Sequence, residues 1–262
     1  MATILDTIAA YARERVATDK REASLNTLKA MCRERGRAGG SPFEAALRRD
    51  GLGFICEVKR ASPSKGLIAP DFPYVEIARD YEKAGAECIS CLTEPKWFLG
   101  SDRIFTDIRA AVSIPMLRKD FVVDEYQLYQ ARLMGADCIL LICAILDGET
   151  IAQYLDICGE LGLSALVEAH DEAEIASAIA AGAQMIGVNN RNLKDFSVDT
   201  ENSRRLRELV PRSALFVSES GVRTAEDIRR LRAAGVDAVL VGETLMRSAD
   251  KTAKLAELRG EV

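Results

Sequence analysis

Glu57 and Lys59 stand two residues apart in the otherwise apolar run Phe54-Ile-Cys-Glu-Val-Lys59. Side chains alternate faces along a strand, so both charges point the same way. Facing water, they are ordinary edge-strand charges; facing inward, they must be paired or used, because burying charge is costly. The irregularity recurs. Lys119, Glu168, Asn189 and Glu219 each close a short apolar run, and Leu117, Leu166 and Val217 share a face with Lys119, Glu168 and Glu219. Polar side chains at one end and one parity of several strands converge on a common point. Two lysines and three carboxylates suit general acid–base chemistry, each shifting its neighbours' pKa values. A Schiff-base lysine is the competing use of Lys59 or Lys119.

Other residues suit an anion and an aromatic ring. The loop Ser62-Pro-Ser-Lys-Gly66 is polar, basic and turn-forming. Glu219-Ser-Gly-Val and Val241-Gly-Glu-Thr place Gly221 and Gly242 just after strands, where backbone amides can cradle a phosphate near a short helix. Ser62 is placed to close over it. Trp97-Phe98 and Phe121 follow two further strands, where they serve either to sandwich a ring or to pack between helices.

The elements that must carry these residues alternate from about residue 53 onward. Strands are expected at Phe54–Lys59, Cys88–Thr93, Pro115–Lys119, Cys138–Ile142, Ala165–Glu168, Met185–Asn189, Leu215–Glu219 and Ala238–Gly242. Helical patterns at Val75–Ala84, Arg103–Ala111, Glu125–Met134, Thr150–Leu161, Glu172–Ala181, Glu201–Leu209 and Ala225–Ala233 separate them. Ala84-Gly-Ala-Glu, Met134-Gly-Ala-Asp, Ala181-Gly-Ala-Gln and Ala234-Gly-Val-Asp recur before every second strand, at intervals of roughly 50 residues. Strands each followed by a helix form a parallel sheet with right-handed crossovers, and eight is the number that closes. The expected fold is α/β, a single (β/α)8 TIM barrel. One domain spans residues 1–262, of which 1–50 form an N-terminal helical extension whose stripe Ile4, Leu5, Ile8, Tyr11, Ala12 and Val16 packs on the barrel.

Composition bounds the partners. The chain is 48% hydrophobic and 29% charged, ordinary for a globular protein, and its net charge of −5 argues against a nucleic-acid partner. Seven cysteines, mostly in apolar runs, read as reduced core thiols of a cytoplasmic protein. One histidine and no second cysteine pair beside Cys88 and Cys91 leave no expected metal site, and His170 reads as a loop or packing residue. Asp6, Arg13, Glu14 and Arg15 interrupt any signal-peptide core, and the apolar run Cys138–Leu146 falls far short of the ~20 residues of a membrane helix.

Taken together, these motifs resemble the indole-3-glycerol-phosphate synthase family over nearly the whole chain. The resemblance rests on Ile55-Cys-Glu-Val-Lys-Arg-Ala-Ser-Pro-Ser-Lys-Gly66, Leu117-Arg-Lys-Asp-Phe121, Leu166-Val-Glu-Ala-His170, Ile186-Gly-Val-Asn-Asn-Arg-Asn-Leu193, Ser218-Glu-Ser-Gly221 and Val241-Gly-Glu-Thr-Leu-Met246. It implies ring closure of 1-(2-carboxyphenylamino)-1-deoxyribulose 5-phosphate with loss of carbon dioxide and water, without a cofactor. By resemblance Lys119 is the general acid, Glu168 the base of the dehydration, and Lys59 orients the substrate and protonates the departing hydroxyl. Glu57 and Glu219 hold the lysines and the substrate hydroxyls. Asn189 and Arg191 match contacts around the anthranilate end. Ser62, Ser220, Gly221, Gly242 and the Glu243 backbone match the phosphate contacts, and Phe98, Phe121, Leu140, Ile142 and Leu193 the apolar slot. Ala144 stands where some members carry lysine, and Trp97 and Leu99 lie in a loop that varies in the family. The partner implied is a phosphorylated small molecule, with no membrane, and the chain a monomer or weak homodimer. Residues 61–73, with Pro63, Pro70 and Pro73, are expected to form a lid that orders on phosphate. A sugar-phosphate isomerase or a Schiff-base aldolase would share the phosphate loops, and a non-catalytic metabolite-binding barrel is a further alternative, against which the mouth of acids and lysines argues.

Overall fold

Hydrophobic runs of four to six residues, each bounded by a helix end and a loop, build the centre of the molecule. The computed structural model describes residues 3–36, 39–49, 51–192 and 196–261. Three helices come first: α1 (Ile4–Glu22), α2 (Leu25–Arg35) and α3 (Pro42–Leu47). Then follow β1 (Gly53–Val58), a hairpin of β2 (Ala61–Ser62) and β3 (Gly66–Leu67), α4 (Tyr74–Lys83), β4 (Cys88–Leu92), α5 (Asp102–Ala111), β5 (Met116–Lys119) and α6 (Tyr126–Met134). The second half holds β6 (Cys138–Ile142), α7 (Gly148–Leu161), β7 (Ser164–Ala169), α8 (Glu172–Ala180), β8 (Met185–Asn189), α9 (Glu201–Arg207), β9 (Leu215–Glu219), α10 (Ala225–Ala233), β10 (Ala238–Val241), α11 (Glu243–Arg247) and α12 (Lys251–Arg259).

The strands pair in parallel in the order β1-β10-β9-β8-β7-β6-β5-β4 and close on themselves, as eight alternating units demand. The expected boundaries move by no more than two residues. Side-chain parity is as the alternation requires. Ile55, Leu117, Leu166 and Val217 fill the barrel interior, whereas Phe54, Cys56 and Val58 pack outward under the helices. All seven cysteines are free, and six are buried. The four repeat glycines, Gly85, Gly135, Gly182 and Gly235, all have left-handed φ angles between +77° and +91°, which a helix terminated this way requires.

The N-terminal extension packs against both ends of the barrel. Leu5, Ile8 and Ala12 of α1 join the interior cluster from one side, and Phe43, Ala46 and Leu47 of α3 join it from the other. The α3 side is the base, because the Cys88 thiol at the start of β4 faces the Phe43 carbonyl oxygen. Helix α1 starts with a capping box between Thr3 and Asp6 and lies over the mouth. Arg15 ties it down through two bonds to buried Asp120, at 2.7 and 3.2 Å, and Lys20 pairs with Asp124 at 2.7 Å. No helix among the described residues is long and apolar enough to cross a membrane.

Candidate active site

A cavity of about 340 Å³ opens at the C-terminal ends of the strands, the end where barrel loops build sites. Glu57, Lys59, Ser62, Phe98, Lys119, Phe121, Leu140, Ile142, Glu168, Asn189, Arg191, Glu219, Ser220, Gly221, Gly242 and Glu243 all line it. Leu193 lies outside the described residues. Strand alternation thus carries the charged residues of β1, β5, β7 and β9 to one place.

The charged groups are interlocked. Lys119 Nζ lies 2.5 Å from Glu219 Oε2 and 3.5 Å from Glu168 Oε2. Lys59 donates a short bond to Glu57. Burial by itself would drive the Lys119 pKa down, but Glu219, Glu168 and Glu57 outweigh it, so the ammonium is held above its usual range. Glu168 shows the complementary balance: burial raises it, yet Lys119, His170 and a hydrogen bond from Asn189 leave it below the usual carboxylate value. Glu219 loses that contest. Burial, with Glu168 and Glu57 adding, exceeds the pull of Lys119 and pushes it up to about 7. The mouth therefore holds a firm cation, a firm carboxylate and a carboxyl poised near neutrality, the separation that acid–base chemistry needs. A lysine held this firmly protonated is a poor Schiff-base nucleophile, which needs the free amine.

Backbone and small residues shape the anion end. Ser220 and Gly221 both take positive φ, +67° and +95°, and a side chain at Gly221 would run into Thr200 and Val198. A non-glycine residue held at such an angle is strained, and strain of this kind concentrates at sites. A side chain at Gly242 would collide with the Glu57 carboxylate and the Lys59 ammonium. Helix α11 begins directly after Gly242 with no side-chain cap, leaving its first amides open to a ligand. Asn189 Oδ1 accepts from Ser220 Oγ at 2.9 Å and from the Arg191 N–H at 3.0 Å, joining the β8 and β9 loops. The Arg191 guanidinium is 3.8 Å from the Glu243 carboxylate, beside Lys65, also at 3.8 Å. Its charge lies with the phosphate loops.

The apolar slot is narrower than the sequence suggested. Phe98 and Phe121 face each other at 6.1 Å between centroids, with Leu140 and Ile142 alongside. Trp97 instead packs edge-on against Tyr11 of α1 at 5.5 Å, under the Lys96 ammonium, and does not line the cavity. Sequence reasoning missed two features. Ile4, Leu5 and Ile8 of α1 roof the cavity, a role the apolar stripe of α1 could have signalled. Buried Glu94 accepts the backbone N–H groups of Lys96, Trp97 and Phe98 at 2.7–2.9 Å and so winds the loop that presents Phe98. Nothing in a residue pattern announces an acid that bonds its own loop.

Comparison with known proteins assigns the family. The sequence profile described as indole-3-glycerol phosphate synthase matches residues 5–258. The chain belongs to the indole-3-glycerol phosphate synthase family. It is 58% identical over 257 residues to the indole-3-glycerol phosphate synthase of Ruminiclostridium cellulolyticum, covering 98% of this chain and 99% of that one. The counterpart from Endomicrobium trichonymphae is 51% identical over 256 residues, with the same coverage. Solved barrels share the fold alone: 3-hexulose-6-phosphate synthase from Salmonella typhimurium has a TM-score of 0.65 at 14% identity, covering 80% of this chain and 97% of that one. Thiamine phosphate pyrophosphorylase from Pyrococcus furiosus has a TM-score of 0.60 at 19% identity, covering 80% and 94%.

Proposed function

We propose that the barrel mouth closes the indole ring of 1-(2-carboxyphenylamino)-1-deoxyribulose 5-phosphate, through Lys119 as general acid and Glu168 as the later base. The activity is that of the family, a carboxy-lyase reaction of tryptophan biosynthesis. The observation that carries the division of labour is Lys119 Nζ standing between Glu219 and Glu168, at the floor between an aromatic slot and a phosphate loop.

The substrate's phosphate binds at the amides of Gly221 and Gly242, with Ser62, Ser220, Lys65 and Arg191 around it. Arg191 serves this end in preference to the anthranilate carboxylate, because its guanidinium lies beside Glu243. The anthranilate ring packs against the Phe98–Phe121 pair, with Leu140 and Ile142 alongside. Lys119 then meets the ribulose carbonyl oxygen. The ring carbon that bears the carboxylate attacks, and the carbonyl oxygen becomes an alkoxide, far more basic than any amine. A firmly held ammonium therefore still transfers its proton downhill at that moment. Carbon dioxide leaves with its bonding electrons returned to the ring. In the dehydration, Lys59, set by Glu57, protonates the departing hydroxyl, and Glu168 takes the proton lost as the indole forms. No step calls on a metal or cofactor.

The net charge of −5 and the scattered positions of the exposed large apolar residues, Met31, Leu67, Leu99 and Leu209, support a monomer or weak homodimer working without nucleic acid or membrane.

Indole fluorescence after adding the carboxyphenylamino-deoxyribulose phosphate tests the reading. Lys119→Ala should lose roughly 10²–10⁴ in turnover while substrate binding stays within a few-fold, since an acid acts in the transition state. Near-normal turnover in that variant moves the acid elsewhere, with Lys59 the first candidate.

A further inference from the structure

His170 follows β7 directly, and the sequence marked it as a loop or packing residue. The structure holds its imidazole in one orientation. Nδ1 lies 3.1 Å from Glu174 Oε2, which also accepts the His170 backbone N–H at 2.7 Å. The His170 carbonyl accepts from Asn202 of α9 at 3.2 Å. Glu174 is itself placed by the Asp171 cap of α8, whose Oδ1 accepts its N–H at 2.9 Å. The remaining ring nitrogen, Nε2, is buried without a hydrogen-bond partner among the described residues and stands 3.6 Å from Glu168 Oε1. Lys119 Nζ stands 3.5 Å from the other oxygen, Oε2. The carboxylate of Glu168 is thus bracketed, lysine on one oxygen and imidazole on the other.

We propose that His170, oriented by Glu174, is a positioning residue for Glu168, fixing the carboxylate in place and setting the pH at which it takes up a proton. The inference rests on the reading of Glu168 as the dehydration base. The geometry suits both charge states of the pair. A protonated imidazole offers Nε2–H to the ionised carboxylate. Once Glu168 has taken the substrate's proton, the ring, its own protons unmoved, still offers Nε2–H to the unprotonated oxygen of the new acid. An unpartnered, buried nitrogen aimed at a carboxylate is what a shared proton requires and what mere packing avoids.

The groups facing His170 settle the sign. Glu168 lies on its own strand, Glu174 on α8 and Glu219 across the mouth on β9, all acidic. Cys143, after β6, turns its thiol to the Glu174 carbonyl oxygen, and its own pKa is raised by burial to about 12, so it stays neutral. Lys119 contributes a cation from the far side of Glu168. Burial pulls the imidazole pKa down, but the Glu174 bond and the field of Glu168 outweigh it, so the imidazolium persists above its usual range.

The test is the pH profile of kcat/KM for His170→Asn and Glu174→Gln beside the wild type. Losing the imidazolium removes an opposite charge beside Glu168 and should move the acidic limb of His170→Asn up by about one pH unit. Below the limb that is a rate about tenfold lower than wild type. At alkaline pH, where the wild-type imidazole is neutral, the two profiles should converge. Glu174→Gln, at a partly exposed position, should shift the limb the same way by less, and carries the test if His170→Asn does not fold. A uniform loss across pH, or an unmoved limb, reduces His170 to a structural residue. A Glu168→Gln arm separates the two claims. If that variant forms indole at a near-normal rate, the base assignment itself is wrong. If it stalls while the His170 limb stays fixed, only the present proposal fails.

Discussion

At the scale of single residues, the site was legible because strand parity is a strict rule. Once Ile55, Leu117, Leu166 and Val217 face inward, the polar residues two positions on must face inward too. What sequence could not give is which acid yields to burial, since that depends on distances across the barrel. Glu219 is the case in point. Burial, helped by Glu168 and Glu57 and opposed by Lys119, raises it to about 7. A carboxyl whose folded pKa exceeds its unfolded value contributes stability that is full below about 4.5 and lost as pH rises through about 7. The ionised form is therefore the destabilising one at pH 8. Glu219→Gln, neutral throughout, should be the more stable protein at pH 8, by on the order of 1–3 kcal/mol relative to its difference at pH 5. Chemical unfolding at the two pH values measures it. A variant less stable at pH 8 would show that pairing with Lys119 outweighs burial. Glu168 calls for a kinetic test. Glu168→Gln should release carbon dioxide in a single turnover and stall before indole forms, and failure to release carbon dioxide would put Glu168 at an earlier step.

At the scale of elements, the eight barrel strands and the seven helices from α4 to α10 were read nearly to the residue, but the loops and the short helix α11 were not. Periodicity reports what a core demands, and loops answer to their own hydrogen bonds. The segment expected to order on phosphate is already a hairpin, with Ser62 opposite Gly66 and the N–H groups of Ile68 and Ala69 bound to the Arg60 carbonyl oxygen. Its expected response to ligand becomes closure of a formed hairpin, so hydrogen exchange across residues 61–73 should slow when inorganic phosphate saturates the site. Unchanged exchange there would make it a static connector. The loop after β4 depends on Glu94, whose carboxylate gathers three backbone N–H groups while Leu99 is held at a φ of +54°. A glutamine has one acceptor oxygen where the carboxylate has two, and an unsatisfied buried N–H costs about 1–3 kcal/mol. Glu94→Gln should let the loop relax and withdraw Phe98 from the slot. KM is expected to rise about tenfold with kcat changed less, which steady-state kinetics resolves; an unchanged KM would show that Phe98 needs no such support.

At the scale of the whole molecule, the repeat seen in the sequence turns out to have a mechanical meaning. Its fourth residue is Glu87, Asp137, Gln184 or Asp237, at the N-terminal end of every second barrel strand. The three acids each reach across to the preceding barrel strand and accept a backbone N–H: Phe54 to Glu87 at 2.7 Å, Met116 to Asp137 at 2.9 Å and Phe216 to Asp237 at 2.7 Å. Each also draws an arginine: Arg259 at 3.0 Å, Arg109 at 3.0 Å and Arg207 at 3.9 Å. Gln184 breaks the rule, turning its amide to the Gly182 carbonyl oxygen instead. The spacing of the repeat was visible, but its purpose was not, because the partner N–H lies on another strand and only the closed register brings the two level. These clamps sit at the base, the opposite end from the mouth, where a barrel keeps its stability apart from its chemistry. Asp137→Ala leaves a strand N–H without its charged acceptor and Arg109 without its carboxylate. It should cost about 2 kcal/mol in chemical unfolding, with kcat and KM per folded molecule unchanged. Gln184→Ala, which breaks no cross-strand bond of this kind, should cost less than half as much. Equal losses at the two positions would show that the fourth residue serves packing alone, and a fall in kcat for Asp137→Ala would show that the base and the mouth are coupled.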